Sequence, residues 1–384
     1  DFPSWETLPH ERLSPSAETV GKRLQALHRM NQFSANNPKH KVVVMISIRA
    51  ALQPVIGGLE DHPPFEMTRG KDYLLPELAL KLIEIAYERV DMVTRRGEFA
   101  IRGGILDVFP TTAEHAVRLE FFGDELEDIR EFQVADQRSI AVSLSAIELY
   151  PAREMLITPA VASRAREMAS EFPGLSEMLT KISEGIPAAG MESLAPVLAK
   201  KLGPLTQYLP TATFVLLDPE LIASRAKALA DTNEEFLHAA WDTAIAGGSA
   251  PIDLSTGGFL DLTVLLDAIR KTNRLVEINS LPQDHSIDLG LREIPTFQAG
   301  GAVTDWIIDQ LAQSQKLVIT AKGHGTAERI VEVLSGLSIP VSLSEIVREP
   351  TSGSVMVVVA DLPHGFFVAD QNLIVITETE FFGV

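Results

Sequence analysis

Two short segments contain residue types that could bind or hydrolyse a nucleotide. Lys322-Gly323-His324-Gly325-Thr326 stands between a predicted strand and a predicted helix, but a P-loop requires G-x-x-x-x-G-K-[ST] and here the lysine precedes the glycines. Asp218 ends another apolar strand, as a magnesium-binding aspartate would, yet Pro219 follows where a helicase-type ATPase has its general-base glutamate. We interpret the first segment as a strand-to-helix turn and Asp218 as the N-cap of a helix that begins at Pro219.

The other reactive side chains form no arrangement that we assign to catalysis. The histidines lack H-E-x-x-H or another metal-binding spacing. Four of them stand in polar contexts typical of solvated side chains: His10, His40, His62 and His115. The chain has no cysteine, which excludes disulfides, thiolate nucleophiles and cysteine-ligated zinc, and suits a reducing cytosol. We therefore predict no catalytic residue, no cofactor-binding residue and no metal site.

Composition limits the partners of the chain. Lys+Arg 33 against Asp+Glu 52 give a formal charge of −19, and such an acidic protein repels phosphate unless a local basic patch opposes the overall field. No apolar stretch is long enough to span a bilayer. The chain begins at Asp1 and ends just after an apolar, strand-like run, so we expect a piece excised from a longer protein.

Hydrophobic periodicity predicts an α/β protein with a small β-rich insertion. Glu18–Met30 has helical spacing, and Lys41–Ile48 is an apolar run typical of a buried parallel strand. Between Val90 and about Tyr150 the period changes to two, which predicts an antiparallel sheet with one solvent-facing side. The helix before it has one apolar stripe, formed by Leu75, Leu78, Leu82 and Ile85.

The α/β pattern returns at Pro151. Thr213–Leu217 is a predicted strand, and a long helix follows to about Ala244. The Gly-, Ser- and Pro-containing stretch Ala246–Gly258 predicts a linker. After about Leu281, a smaller α/β module has predicted strands at Lys316–Thr320, Ser354–Ala360 and Leu373–Thr377.

One surface of the β-rich segment has the composition of a protein interface. Five basic residues gather there: Arg89, Arg95, Arg96, Arg102 and Arg118. Strand alternation places Arg118, Glu120 and Phe122 on the face opposite Val117, Leu119 and Phe121. A large aromatic on the polar side of a strand, beside arginines, is typical of an interface hot spot. Spacing alone leaves open a second interpretation, in which the preceding helix or a neighbouring domain covers Phe122.

Three ordered motifs are dense in this segment: Tyr87–Val93, Arg96–Pro110 (RGEFAIRGGILDVFP) and Arg118–Glu125 (RLEFFGDE). Flanking motifs stand at Pro3–Pro9, Gly185–Glu192 and Leu217–Glu220. Together these motifs resemble the transcription-repair coupling factor (Mfd) family, and UvrB has a more distant version of the same block. The long aromatic hairpin that UvrB inserts into damaged DNA has no counterpart, because Pro9–Pro15 runs within a few residues into the helix at Glu18.

The resemblance implies a fold with four parts. We expect a degenerate P-loop/RecA-like α/β domain with an inserted small antiparallel β-rich domain, followed by a small α/β domain. The expected parts are 1–66 (partial domain 1a, without its first strands), 67–150 (domain 2), 151–281 (domain 1b, which completes the 1a layer) and 282–384 (domain 3).

The resemblance also implies a partner. In this family, domain 2 binds UvrA through two arginines and an aromatic, which match Arg102, Arg118 and Phe122 residue by residue. The implied function is a non-catalytic, cytoplasmic UvrA-recruiting region that links stalled RNA polymerase to nucleotide excision repair. The full-length protein would be an ATP-dependent DNA translocase, with ATP, Mg²⁺, RNA polymerase and double-stranded DNA bound by domains absent here.

Two other functions remain open from the sequence. The first is a UvrB-like ATP-dependent DNA repair helicase fragment, which the missing P-loop and the Asp218-Pro219 pair disfavour. The second is direct DNA binding by the arginine cluster, which the charge of −19 disfavours.

Overall fold

A computed structural model of the chain describes residues 1–36, 42–59, 63–246, 251–254, 258–272, 274–281, 284, 286–297, 302–345 and 348–383. These residues form two compact units, Asp1–Ser280 and Leu281–Val384. Both helices and several separate sheets are present, so the prediction of a mixed α/β multidomain protein is confirmed. Within the described ranges, no helix is long and apolar enough to cross a membrane.

The elements follow in chain order. The helices are α1 (Ala17–Asn36), α2 (Ile48–Leu52), α3 (Leu75–Glu84), α4 (Pro159–Met168), α5 (Ser176–Ser183), α6 (Ala195–Leu198), α7 (Pro219–Ile245), α8 (Leu262–Thr272), α9 (Ala302–Ala312), α10 (His324–Gly336) and α11 (Glu378–Phe382). The strands are β1 (Val55–Ile56), β2 (Phe65–Thr68), β3 (Glu88–Arg89), β4 (Glu98–Arg102), β5 (Ile105–Val108), β6 (Ala116–Phe122), β7 (Glu125–Phe132), β8 (Ser139–Ser143), β9 (Ala146–Leu149), β10 (Leu202–Gly203), β11 (Thr213–Leu217), β12 (Arg274–Ile278), β13 (Leu291–Arg292), β14 (Lys316–Ala321), β15 (Val341–Ser344), β16 (Val355–Val359), β17 (Phe366–Val368) and β18 (Leu373–Thr377).

A six-stranded sheet of order β3-β4-β5-β6-β7-β8 is the centre of the predicted β-rich segment. Its neighbouring strands are antiparallel, except that β3 is parallel to β4. One face of the sheet packs against α3, which contributes Leu78 and Leu82 to a shared core. The sheet residues of that core are almost completely buried: Phe99, Leu106, Val108, Val117, Leu119, Leu126 and Ile129. The predicted sheet and the predicted helix stripe are therefore confirmed.

The predicted buried strand at Lys41–Ile48 is wrong. Lys41 lies outside the described residues, Val43 is 86% exposed, and the run makes a single parallel bridge, between Ile46 and Phe2. Ser47 then begins α2, because its hydroxyl accepts a hydrogen bond from the backbone N–H of Ala50. Apolar composition alone did not produce a strand, since no strand in the described part of the chain pairs with this run along its length.

Asp218 is the N-cap residue of α7, which begins at Pro219 as predicted, but its side chain does not cap the helix. Asp218 has a left-handed backbone conformation with φ of 54°. The parallel pairing of β11 with β12 instead brings Ser280 beside it. The backbone N–H and the hydroxyl of Ser280 both donate to Asp218 Oδ1, at 3.0 and 2.5 Å.

The prediction that His10 is solvated is wrong as well. His10 is 6% exposed, and its Nδ1 lies 3.1 Å from Oδ1 of Asn233 on α7. Burial lowers the pKa of the imidazole, because desolvation disfavours the charged form. His40 and His62 lie outside the described residues, and His115 is half-buried.

The predicted linker Ala246–Gly258 lies partly outside the described residues. Its described part, Pro251–Leu254, has no regular secondary structure, in agreement with the prediction. Ile252 and Leu254 are nevertheless buried in a core formed with α4, α5 and α6. This part of the stretch is therefore packed, which Gly, Ser and Pro composition could not show.

The second unit is built on a six-stranded sheet of order β13-β17-β18-β14-β16-β15. Strands β18, β14, β16 and β15 are parallel, and the three strands predicted in this module are confirmed as β14, β16 and β18. Lys322-Gly323 connects β14 to α10, so the glycine-containing segment is the strand-to-helix turn that we predicted. The domain boundaries within the chain and the RecA-like layer stay predictions.

A buried ion pair joins three segments of the first unit. The side chains of Arg23 on α1 and Glu154, after β9, are both 0% exposed, and Arg23 Nε donates to Glu154 Oε1 at 2.5 Å. Arg23 Nη1 donates to the carbonyl of Pro3, and the indole N–H of Trp5 donates to Glu154 Oε1, both at 2.9 Å. The pair therefore connects the N-terminal segment to α1 and to the chain beyond β9.

Replacing Glu154 by Ala should lower the free energy of unfolding by about 3–5 kcal/mol, because Arg23 would remain buried without its counter-charge. The double variant Arg23→Met/Glu154→Leu should recover most of this loss. Lys22→Ala, which removes an exposed ion pair with Glu18, is the control and should change little. Urea unfolding followed by tryptophan fluorescence measures the difference, and a loss below about 1 kcal/mol for Glu154→Ala contradicts the interpretation.

Candidate protein-docking face

The charged side of the six-stranded sheet is the candidate site, and we call it the docking face. Cross-strand pairing places Asp107 of β5 opposite Arg118 of β6, and Arg118 opposite Arg130 of β7. Residues paired directly across strands share one face of a sheet, opposite the apolar core. The docking face is therefore the side of β4 to β7 opposite the core with α3, and sequence alternation correctly placed Arg118, Glu120 and Phe122 together on it.

Phe122 lies at one end of this face. It is the last residue of β6, before the turn at Gly123-Asp124, and 76% of its surface is exposed. Gly123 has a φ of 64°, the left-handed conformation that this tight turn requires. The sequence left open whether Phe122 is exposed or covered. Within the first unit, the Phe122 ring is exposed.

A β-bulge precedes Phe122. Glu120 pairs with Asp128, but Phe121 pairs with Leu126, so one residue of β7, Glu127, has no opposite residue in β6. The alternation of faces continues nevertheless, because Phe121 packs against the core while Phe122 is exposed on the docking face. A bulge bends the strand that contains the extra residue and increases the local twist, and here it lies in β7, beside the end of β6 that carries Phe122.

Asp107 connects the two predicted arginines. Its side chain is 1% exposed, and both of its oxygens accept hydrogen bonds. Arg118 donates from Nε to Oδ1 at 2.7 Å and from Nη2 to Oδ2 at 2.9 Å. Arg102, on β4, donates from Nη2 to Oδ2 at 2.5 Å. The structure thus brings Arg102 and Arg118 together through a carboxylate that we did not single out from the sequence.

The two arginines differ in exposure. The side chain of Arg118 is 18% exposed, and its guanidinium lies 4.8 Å from the centre of the Phe132 ring. The hydrogen bond to Asp107 raises the pKa of Arg118, which keeps the charge in place. The side chain of Arg102 is 50% exposed and has a single hydrogen bond to Asp107. Arg118 is therefore an anchored group and Arg102 a more accessible one.

The other arginines of the segment do not form one patch with these two. Arg96 donates to the carbonyl of Ala113 at 3.0 Å and pairs with Glu18 at 3.1 Å, so it supports the fold. Arg89 and Arg95 are exposed. The five-arginine cluster that the sequence suggested is thus only partly present, because strand direction and local contacts separate its members.

A shallow groove of about 460 Å³ continues the docking face beyond Arg118. Its lining residues are Arg69, Asp128, Arg130, Ser139, Ile140 and Ser143. Asp128 accepts from the Ser143 hydroxyl at 2.7 Å and from Arg130 Nε at 2.5 Å. The Ser143 hydrogen bond, followed by Arg130, lowers the pKa of Asp128 against the effect of desolvation. Positively and negatively charged side chains therefore lie side by side along this edge. Sequence spacing did not predict the groove.

Comparison with known families agrees with this geometry. Residues 65–155 match the UvrB interaction domain, and residues 310–381 match the MFD, D3 domain. The described docking face lies within the first match. The fold and the face thus define a multidomain protein that carries a UvrB-type interaction domain.

Curated relatives match the chain along its whole length. It is 40% identical over 405 aligned residues to transcription-repair-coupling factors of Mycobacterium bovis and Mycobacterium tuberculosis, covering 100% of the chain and 33% of each relative. The factor of Escherichia coli is 25% identical over 99% of the chain and 33% of its own length. The chain corresponds to an N-terminal region of the transcription-repair coupling factor (Mfd) family, and it spans about a third of the length of these relatives.

Arg118→Ala should lower the free energy of unfolding by about 2 kcal/mol, because Asp107 would lose two of its hydrogen bonds while it remains buried. Arg102→Ala should cost less than about 1 kcal/mol, since it removes one bond from a half-exposed side chain. Urea unfolding of both variants beside the parent protein gives the comparison. Equal losses for the two variants would show that Asp107 does not depend mainly on Arg118.

Proposed function

We propose that this chain is the non-catalytic, UvrA-recruiting region of a transcription-repair coupling factor. The observation that carries the proposal is the exposed Phe122 on the same face as Arg102 and Arg118, in a segment that matches the UvrB interaction domain. An aromatic ring beside partly paired guanidinium groups is the composition found at the centre of protein interfaces.

The energetics of docking follow from these three side chains. Burial of the remaining Phe122 surface would contribute about 2–3 kcal/mol through the hydrophobic effect. Arg102 and Arg118 would add charge-assisted hydrogen bonds to acceptors on UvrA, which are stronger than neutral ones. Truncation of a residue at such a hot spot costs on the order of 2 kcal/mol of binding free energy.

The charge on the docking face favours a protein partner over nucleic acid. Asp107 neutralises one of the two positive charges of Arg102 and Arg118, and Glu120 lies on the same face. Phosphate binding needs an excess of cations, and its strength falls steeply with salt. A face with both charge signs and one exposed aromatic instead fits a mixed polar and apolar protein surface.

The non-catalytic part of the proposal rests on the two candidate nucleotide segments. Asp218 belongs to the first unit and its carboxylate already accepts two hydrogen bonds from Ser280, while Lys322 belongs to the second unit. We propose that the first unit derives from a RecA-like nucleotide-binding layer. We further propose that ATP, Mg²⁺, RNA polymerase and double-stranded DNA bind parts of a cytoplasmic DNA translocase outside this chain.

The test is capture of purified UvrA by the chain, measured by surface plasmon resonance. Phe122→Ala and Arg102→Ala should each weaken capture by about 30-fold, the equivalent of about 2 kcal/mol. Phe236→Ala is the matched aromatic control, because this ring is 54% exposed on α7, outside residues 65–155. Arg164→Ala is the matched cationic control, because its side chain is 49% exposed and, among the charged groups that the structure describes, pairs with Glu167 alone.

Undiminished capture by Phe122→Ala and Arg102→Ala together would overturn the site assignment. Binding that disappears between low and moderate salt, and that DNA competes for, would favour the arginine cluster as a DNA site. ATP hydrolysis by the chain alone would favour the helicase interpretation.

A further inference from the structure

Asp107 is a buried carboxylate on the solvent side of a sheet. Burial of an ionised carboxylate is unfavourable unless hydrogen bonds and opposite charges compensate it. Its partners Arg102 and Arg118 stand on β4 and β6, and β5 lies between them. One side chain on the central strand therefore links two cations that do not stand on neighbouring strands.

The two guanidinium groups keep free donors. A guanidinium has five N–H bonds. Arg118 uses donors on Nε and Nη2 for Asp107, and Arg102 uses one on Nη2. Among the described residues, neither guanidinium has a further hydrogen-bond partner. The remaining donors are available to an acceptor outside the chain.

Asp107 also limits the freedom of these side chains before a partner arrives. An arginine that is half-exposed and unpaired samples many rotamers, and ordering it on binding reduces affinity. Arg102 is half-exposed, and its hydrogen bond to Asp107 is the contact that restrains its tip. Arg102 therefore loses rotamer freedom on folding, before a partner binds. Binding then begins with Arg102 and Arg118 already ordered.

We propose that Asp107 is a positioning residue of the docking face: it holds Arg102 and Arg118 together so that their free N–H donors meet an acidic side chain of the protein partner. This inference rests on the proposed function and goes beyond it, because it adds a residue that acts through two others. It also specifies the partner chemistry, a carboxylate that accepts from both guanidinium groups, with an apolar recess for Phe122.

The first experiment compares Asp107→Asn with the parent chain in UvrA capture. Asn has the shape of Asp without its charge, and it replaces one of the two acceptor oxygens by an NH2 donor, so Arg102 and Arg118 cannot both keep their hydrogen bonds. Capture should weaken about tenfold. Asp136→Asn is the matched control, because it removes the same charge from an exposed pair with Arg138, and it should leave capture unchanged.

A mutant cycle separates positioning from general structural support. If Asp107 acts through the arginines, Asp107→Asn should not weaken residual capture further in an Arg102→Ala/Arg118→Ala background. In that background Asp107→Asn should raise the thermal midpoint, since it removes a buried carboxylate that has lost its partners. An additional tenfold loss of capture in the triple variant would overturn the inference.

A second measurement needs no variant at position 107. In the parent chain, ¹⁵N relaxation of the arginine Nε–H groups should show Arg118 and Arg102 ordered before UvrA is added, unlike exposed Arg95. Free rotation of Arg102 and Arg118 in the unbound chain would contradict the inference.

If the parent chain does not capture UvrA at all, the proposed function fails, whereas equal capture by parent and Asp107→Asn refutes only the positioning role.

Discussion

Burial of one face of the six-stranded sheet is the constraint on which the docking face depends. Strands β4 to β7 pack alternate side chains against α3, and a shift of one residue in any strand would expose this core. The side chains of the docking face therefore have fixed positions, and part of that face also has packing of its own, because Ala100, Ala116 and Phe132 form a small buried cluster beside Arg118. Phe122 and Arg102 can be exposed and still be well placed, because the larger apolar core of the sheet lies on its other side.

Electrostatics on this face act at short range. The chain has a formal charge of −19, and the cationic pair of Arg102 and Arg118 is partly neutralised by Asp107. Such a surface attracts little over distances beyond the screening length. Recognition of the proposed partner would therefore depend on matching of hydrogen bonds and apolar area at contact, and less on long-range steering.

Much of the architecture could be predicted from periodicity. The two-residue period between Val90 and Tyr150 identified the sheet, and the apolar stripe of α3 identified the helix that covers it. The assignment of Arg102, Arg118 and Phe122 to a partner came from a family resemblance, and alternation explains only why Arg118 and Phe122 share a face.

The errors have a common physical cause, which is pairing between residues distant in sequence. Lys41–Ile48 has strand composition, but among the described residues it makes one bridge and no longer strand pairing. Asp218 occupies the N-cap position, but its carboxylate accepts a hydrogen bond from Ser280 and not from the helix. His10 has a polar sequence context but lies against α7. Asp107 was missed for the same reason, because its role depends on two arginines that strand pairing brings to it.

The bulge at Glu127 affects the geometry of the docking face independently of the identities of Arg102, Arg118 and Phe122. A regular hairpin with the same arginines and the same phenylalanine would carry the ring along a different direction, since the extra residue changes the twist between Glu120 and Phe122. Deletion of Glu127 would therefore keep Arg102, Arg118 and Phe122 and yet alter the spacing between them. The position of the extra residue is thus a determinant of the geometry of this face that is separate from the identities of its side chains.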